Sequence, residues 1–249
     1  MKFILAAIAA ALALGAQPTP VAVAAAPTPI TVVTLNVHGS EDRYGDGNGG
    51  DPTAVKADVL RLVKTQRPDV VALQELCYRQ HRAIRASLAK LGYSATMTYS
   101  RQSGGCNDPA GANQFGNALY IKGAISWRAS HALPWGKNPA GTPGVEARRM
   151  LCATRKDWRQ IVCTTHLATR NPDRANQAIE VERVATKWAA GRPYVLAADM
   201  NMTEQLTEDA FGMDLAGRSI DWVVARSVSL VAVVAAPSSD HPAIVARVA

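Results

Sequence analysis

Ser239-Asp240-His241-Pro242, near the end of the chain, is the stretch on which the reading of the fold turns. By itself it is a short polar turn before a proline. Its weight comes from four earlier stretches: Thr34-Leu35-Asn36-Val37, Leu73-Gln74-Glu75-Leu76, Thr165-His166-Leu167 and Ala198-Asp199-Met200-Asn201. Each follows a run rich in β-branched or small apolar residues, so each is predicted to set its polar residues at the C-terminal end of a strand. Strand ends along one edge of packed sheets are where a rigid scaffold presents chemistry. Two histidines and several carboxylates gathered there suit metal-assisted cleavage of a phosphate ester.

Around these stretches the pattern alternates between strands and helices. Ile30 to Val37 reads as the first strand. Pro52 to Gln66 spaces Val55, Val59, Leu62 and Val63 at helical intervals, with Asp51 as cap and Pro52 in the first position. Asp69 to Glu75 is a buried strand, Tyr78 to Leu91 a helix, and Tyr93 to Tyr99 a strand. Phe115 to Ile121 and Ala124 to Leu133 look like a strand pair around Lys122-Gly123. Val145 to Thr154 and Arg159 to His166 form a hairpin about Asp157-Trp158. Asn171 to Trp188 is a helix and Tyr194 to Ala198 a strand. After an irregular stretch, Ser219 to Ala225, Val228 to Val234 and Ala243 to Val248 complete the strands. No repeat or linker interrupts the series. Many short strands with helices between some of them predict an α/β fold, a four-layer α/β/β/α sandwich of two packed, mostly antiparallel sheets.

The start of the chain reads differently. Lys2 and an apolar run to about Gly15, then small residues and prolines to Pro29, predict a secretory signal peptide over about residues 1–25. Its apolar run is too short to span a bilayer, and no later segment is long enough, so no stable membrane insertion is expected. The remaining 30–249 fits one catalytic domain, expected to be a secreted monomer. The whole chain carries 27 Lys and Arg against 20 Asp and Glu, a net charge of +7, and losing Lys2 leaves +6. Such a surface suits an acidic partner such as nucleic acid, although charge alone does not separate that from a merely soluble basic surface.

Four cysteines, an even number in an exported chain, predict two disulfides. No Cys-x-x-Cys pair is present, which argues against structural zinc. Centring the hairpin on Asp157-Trp158 pairs Ala153 with Val162 and puts Cys152 opposite Cys163, within bridging distance. That leaves Cys77 with Cys106. The loop Gly39 to Asp51, with Asp42, Asp46 and Asp51, offers either a calcium site or a flap, but lacks EF-hand spacing.

Each site residue has a bland reading when taken singly. Asp199 and Asn201, two apart at a strand end, point the same way, yet Asp-x-Asn is more often a turn. Glu75 ends a buried strand, where a carboxylate must be paired or hold a cation. Asn36 reads as a turn residue and His166 as a structural histidine. In this order, however, the five stretches resemble the endonuclease/exonuclease/phosphatase superfamily. Its members include deoxyribonuclease I, abasic-site endonucleases, bacterial sphingomyelinases and inositol polyphosphate phosphatases. The resemblance runs from Ile30 to Val248, and Gly116-Asn117-Ala118-Leu119 and Ser219-Ile220-Asp221-Trp222 also match family strands.

The resemblance implies that Glu75 is the principal magnesium ligand, with Asn36 and Asp240 near the ion. It implies that Asp199 and Asn201 orient the attacking water or the phosphate. His241 paired with Asp221 then acts on the phosphate or nucleophile, and His166 serves as general acid or phosphate contact. Manganese is an alternative ion, and calcium a structural one. Magnesium takes oxygen ligands and keeps several waters, so one or two carboxylates suffice. Candidate phosphate contacts are Arg148, Arg149, Arg170, Arg174 and Arg101, with only one of Arg148 and Arg149 able to face the site. The resulting expectation is a secreted metal-dependent phosphodiesterase, a nuclease acting on DNA or RNA. Its rivals are a sphingomyelinase or phospholipase C-type enzyme, a phosphomonoesterase of the same fold, and a non-catalytic binding module. The segment between Asn201 and Asp221 is shorter than in many relatives, and no exposed aromatic hairpin of the membrane-acting kind is evident.

Overall fold

A computed structural model describes residues 28–40, 51–102, 104–107, 113–134 and 147–249, without the side chains of Arg101 and Gln102. The signal-peptide segment 1–25, Asp42 and Asp46 of the acidic loop, and that arginine side chain lie outside the described residues.

Two six-stranded sheets pack face to face. The first runs β11 (Val228–Val234), β12 (Ala243–Val248), β1 (Ile30–Asn36), β2 (Val70–Cys77), β4 (Gln114–Lys122), β3 (Tyr93–Gln102). The second runs β5 (Trp127–Ala132), β6 (Arg149–Thr154), β7 (Ile161–Thr164), β8 (Tyr194–Asp199), β10 (Asp221–Ala225), β9 (Asp214–Arg218). Helices α1 (Pro52–Gln66) and α2 (Tyr78–Ala89) cover the first sheet, and α3 (Asp173–Ala189) and α4 (Glu204–Phe211) the second. The expected four-layer sandwich is therefore present. Each sheet is antiparallel except for one central pair, β1 with β2 and β7 with β8. Among the described residues no helix is long and apolar enough to cross a membrane.

Alternation along the strands builds three apolar layers. Val33 and Leu35 of β1, with Val71 and Leu73 of β2, face Val59, Leu62 and Ile84 of the first helix pair. Met150, Cys152, Leu196 and Trp222 face Val181 and Ala185 of α3. Residues of the other parity, such as Val32, Val70, Leu151, Val195 and Val223, meet between the sheets. In α1, Asp51 caps as expected, its Oδ1 accepting from Thr53 N at 2.8 Å.

Three expectations are corrected. The segments expected to pair around Lys122-Gly123 belong to different sheets: β4 pairs with β2 and β3, whereas β5 pairs with β6. Burial explains the difference, since β4 is buried nearly throughout, as a central strand is, and β5 alternates half-buried and exposed, as an edge strand does. The stretch read as irregular before Asp221 holds α4 and β9, whose few apolar residues gave too short a period to register. The hairpin strand opens at Arg149, leaving out Ala147 and Arg148, while Val145 and Glu146 of the expected strand lie outside the described residues. Its register is as expected: Cys152 faces Cys163, and both disulfides, Cys152–Cys163 and Cys77–Cys106, are formed.

Candidate active site

The inward parity of the strands carries polar groups to one edge. In β1 the series Val32, Thr34, Asn36 points between the sheets, and in β8 the series Val195, Ala197, Asp199 does the same. Asn36 is thereby brought across the sandwich, and its Nδ2 donates to Asp199 Oδ2 at 2.9 Å and to Glu75 Oε1 at 3.2 Å. Asp221 opens β10 directly opposite Asp199.

Glu75 does not follow this rule. Its parity with Val71 and Leu73 would send it toward the helices. A bulge in the β2–β4 ladder between Leu73 and Leu76, with Glu75 in the left-handed region (φ 56°), turns the carboxylate back to the edge. A non-glycine residue is held there only where its surroundings fix it. Here Gly39 N donates to Glu75 O at 3.0 Å, and a Cβ on Gly39 would collide with that carbonyl and with Gln80. Glycine therefore follows His38 so that this loop can pack on the bulge.

His166 is 4 % exposed and joins the halves. Its Nδ1 lies 3.4 Å from Glu75 Oε1, its Nε2 3.4 Å from Asp199 Oδ2, and Asn201 Nδ2 donates to that Nε2 at 2.9 Å. Asn201 reaches the site through a turn, not through strand alternation as expected. β8 ends at Asp199, and Asn201 has φ 49° with its N–H donating to Asp199 Oδ1 at 3.0 Å. Arg174 holds this turn from α3, donating to Asn201 O at 2.5 Å.

His241 Nδ1 and Asp221 Oδ2 are 2.7 Å apart, the expected imidazole–carboxylate pair, and His241 Nε2 faces Asp199 Oδ2 at 3.9 Å. The segment carrying them is pinned in two places. Ser239 Oγ donates to Asn36 O at 2.5 Å, and Asp58 of α1 accepts from Ser238 N at 2.8 Å. Asp240 is the most open member, with Oδ1 3.0 Å from His38 Nδ1. Beneath the edge, buried Gln74 crosses between the sheets, its Nε2 donating to Thr34 Oγ1 at 3.0 Å and Thr164 Oγ1 at 2.9 Å. His38, Gln74 and Asp58 were not foreseen as parts of the site. For His38 a signal existed, its spacing of two from Asn36; for Asp58 none did, because its partner is far along the chain.

Electrostatics follow from this crowding. Burial raises the Glu75 carboxyl above its ordinary value. Burial and then the Asp221 carboxylate push Asp199 up to about 6. Burial also raises Asp221. At His241 burial alone would depress the imidazole, but the hydrogen bond to Asp221 and the surrounding carboxylates push it up to about 9. Ligand atoms of Asp199, Asp221 and His241 lie within 4.8 Å of one another. Glu75 and Asp240, the expected ligands, lie outside that group; the His241–Asp221 bond engages Nδ1 and Oδ2 and leaves Asp221 Oδ1 without a hydrogen-bond partner among the described residues. Desolvated carboxylates with few cationic neighbours fit a hard divalent ion, which would relieve their repulsion.

The arginines divide. Arg148 is buried and its charge is felt at Glu75, whereas Arg149 donates to Thr98 Oγ1 (3.1 Å) and Ser130 Oγ (3.2 Å). Arg170 is exposed on the loop after His166.

A four-layer sandwich that gathers imidazole–carboxylate pairs and a turned-in glutamate at the ends of its parallel strands is the architecture of a phosphoester hydrolase. The chain belongs to the endonuclease/exonuclease/phosphatase family, whose model matches residues 33–241. No curated protein sequence matches. Among solved structures, the human Nocturnin catalytic domain with bound sulfate is similar at 18% identity, covering 88% of this chain and 93% of that one, with a TM-score of 0.64. An endonuclease/exonuclease/phosphatase from Beutenbergia cavernae DSM 12333 is similar at 21% identity, covering 88% of this chain and 71% of that one, also with a TM-score of 0.64. Truncated Caenorhabditis elegans TDP2 is similar at 16% identity, covering 88% of this chain and 97% of that one, with a TM-score of 0.58. At these identities the likeness is one of fold.

Proposed function

We propose that this protein is a secreted, divalent-metal-dependent phosphodiesterase, a nuclease acting on DNA or RNA. The observation that carries the reading is the continuous network from Glu75 through Asn36 and His166 to Asp199 and Asn201, with His241–Asp221 facing it. Glu75 and Asp240, assisted by Asn36, would hold magnesium, or manganese in its place. When bound, the ion neutralises charge on a phosphoryl oxygen.

The remaining work falls to the chain. Asp199 accepts a proton from the attacking water, a role suited to a carboxyl raised toward neutrality. Asn201 fixes Asp199 and the water's approach. His241, protonated and aligned by Asp221, meets the phosphoryl oxygen as charge develops there. His166, expected as general acid or phosphate contact, has both ring nitrogens engaged, and we read it as the residue that keeps Glu75 and Asp199 in register. Buried Arg148 supports the charge balance at Glu75. The basic surface favours a polyanion over a neutral lipid headgroup, and a monomer suffices for this arrangement.

The test is release of acid-soluble nucleotide from duplex DNA and from RNA, with and without chelator, across a salt series at fixed magnesium. Cleavage that stops with chelator, with apparent KM rising as salt increases and kcat changing less, is the expected result. Cleavage of sphingomyelin or of a small phosphomonoester, with no nucleic acid cut, would overturn the nuclease reading and leave the fold unaffected.

A further inference from the structure

An open cleft of about 730 Å³ lies at the other end of β8, between the C-terminal ends of α3 and α4. Tyr194 sits at its floor and Asp199 five residues along the same strand, about 17 Å away at strand rise. The cleft and the active site share no residue.

Three exposed arginines line the cleft: Arg159, Arg192 and Arg226. Among the described residues none of them lies within ion-pair distance of a carboxylate, unlike Arg61, Arg155 and Arg183. Tyr194 is 8 % exposed, and although Glu182 and Thr186 bear on its hydroxyl, neither is placed to close a well-aligned hydrogen bond with it. Glu182 and Thr186 stand beside it, but Glu182 Oε1 already accepts from Thr186 Oγ1 at 3.0 Å. Burial, and then the adjacent Glu182 carboxylate, raise the phenol well above its ordinary value, and Thr186 and Arg226 draw it back only in part, so the hydroxyl stays a donor. A buried donor without a well-aligned acceptor is costly, and a ligand oxygen would supply one. Phe211 and Met213 supply an apolar wall. Glu182 and Asp214 also line the cleft, which disfavours a long polyanion laid across the mouth. They favour a compact ligand with donors of its own besides its anionic group.

We propose that this cleft is a second, non-catalytic site for a small phosphate-bearing anion with an apolar ring, a nucleoside monophosphate in chemical class. The guanidiniums take the phosphate in paired contacts. The Tyr194 hydroxyl donates to an oxygen of the ligand, the ring lies against Phe211 and Met213, and Glu182 accepts from sugar hydroxyls. Nothing in this assignment depends on the activity proposed for the other edge.

The experiment is an NMR titration of the protein in chelator with AMP and, separately, with inorganic phosphate. The Gly191 and Gly212 amides, both on the cleft wall, should shift, with AMP saturating at a concentration about tenfold or more below phosphate. The Arg192→Ala/Arg226→Ala variant should lose about tenfold or more in AMP affinity. Tyr194→Phe, which keeps the ring and its packing, should lose about threefold. Circular dichroism identical to the parent protein would establish that both variants fold. Absence of shifts at Gly191 and Gly212 up to about 20 mM AMP overturns the site. So do shifts that persist unaltered in both variants. Equal saturation by phosphate and AMP overturns the ring-bearing ligand.

Discussion

The two parallel strand pairs, β1/β2 and β7/β8, each deliver one half of the active edge, and they do so by different means. The β1/β2 half offers Asn36 and Glu75, and the Glu75 side chain keeps 19% exposure because a bulge swings it outward from its strand position. The β7/β8 half offers His166 and Asp199, whose side chains are 5% and 1% exposed. An exchangeable ion needs a ligand that solvent can reach. Proton transfer needs a dry, fixed carboxylate whose affinity the surroundings have raised. The contrast supports the proposed division, with cation binding in the first half and proton handling in the second.

The sharpest break of that division is Asp199→Asn, which keeps the side chain's shape and only one of the two hydrogen bonds accepted from Asn36 and Asn201 N–H, and removes the charge and the proton acceptor. Turnover should fall about 10³-fold with the magnesium requirement unchanged. A comparable shift in magnesium requirement would merge the two halves into one. His241→Ala should cost about 10²-fold, measured as kcat on a folded protein, because little apolar area is lost at that strand-end position. Glu75→Gln keeps the shape and removes the charge. Half-maximal activity should then need about 10- to 100-fold more magnesium; an unchanged titration would remove Glu75 from the cation site.

How much of this was legible in the sequence divides along the same line. Asn36, Asp199 and Asp221 lie on simple inward alternation or at a strand start, so apolar runs ending in polar residues were enough to find them. Cys152–Cys163 followed from hairpin register for the same local reason. Glu75 was located at its strand end, but its orientation depends on a bulge packed against Gly39, which is distant in the chain. Asn201 was placed at the edge for the wrong geometric reason. The separation of β4 from β5 was not legible, since a short connection between two apolar strands looks the same whether they pair or change sheets. Asp58 and Gln74 serve the site through partners 180 and up to 123 residues away, beyond any spacing rule.

Gln74 tests whether the halves are coupled. It is fully buried and bonds to Thr34 on one sheet and to Thr164 and the Ala197 carbonyl on the other. Gln74→Met fills similar space but strands those groups without partners. Stability should drop by about 2 kcal/mol, read from urea unfolding. Loss of turnover should be under about tenfold, with Asp199 and Glu75 both slightly displaced. No change in stability would mean that the sheets are held together by their apolar layer alone.

The smallest effect concerns the layers behind the two halves. Behind the first, His81 of α2 is buried against β4, its Nδ1 2.8 Å from the hydroxyl of fully buried Tyr120. Burial keeps the phenol protonated, so it can donate to His81. Burial, and then the charge of Arg85, depresses the imidazole from 6.5 to about 4. The α3/α4 layer buries no histidine among the described residues. In the unfolded chain His81 takes a proton as pH falls below 6.5, whereas in the folded protein it stays neutral to about 4. The stability present above pH 6.5 is therefore lost on descending toward 4, by about 2 kcal/mol between pH 7 and pH 5. The loss should begin in the first half, with amide exchange in α2 and β4 rising at pH 5 before that in β7 and β8. His81→Gln retains an acceptor for Tyr120 and cannot titrate in this range, so it should flatten the acid limb. If exchange rises together in both halves, or the limb survives His81→Gln, the asymmetry lies in the active edge and not in the layers that support it.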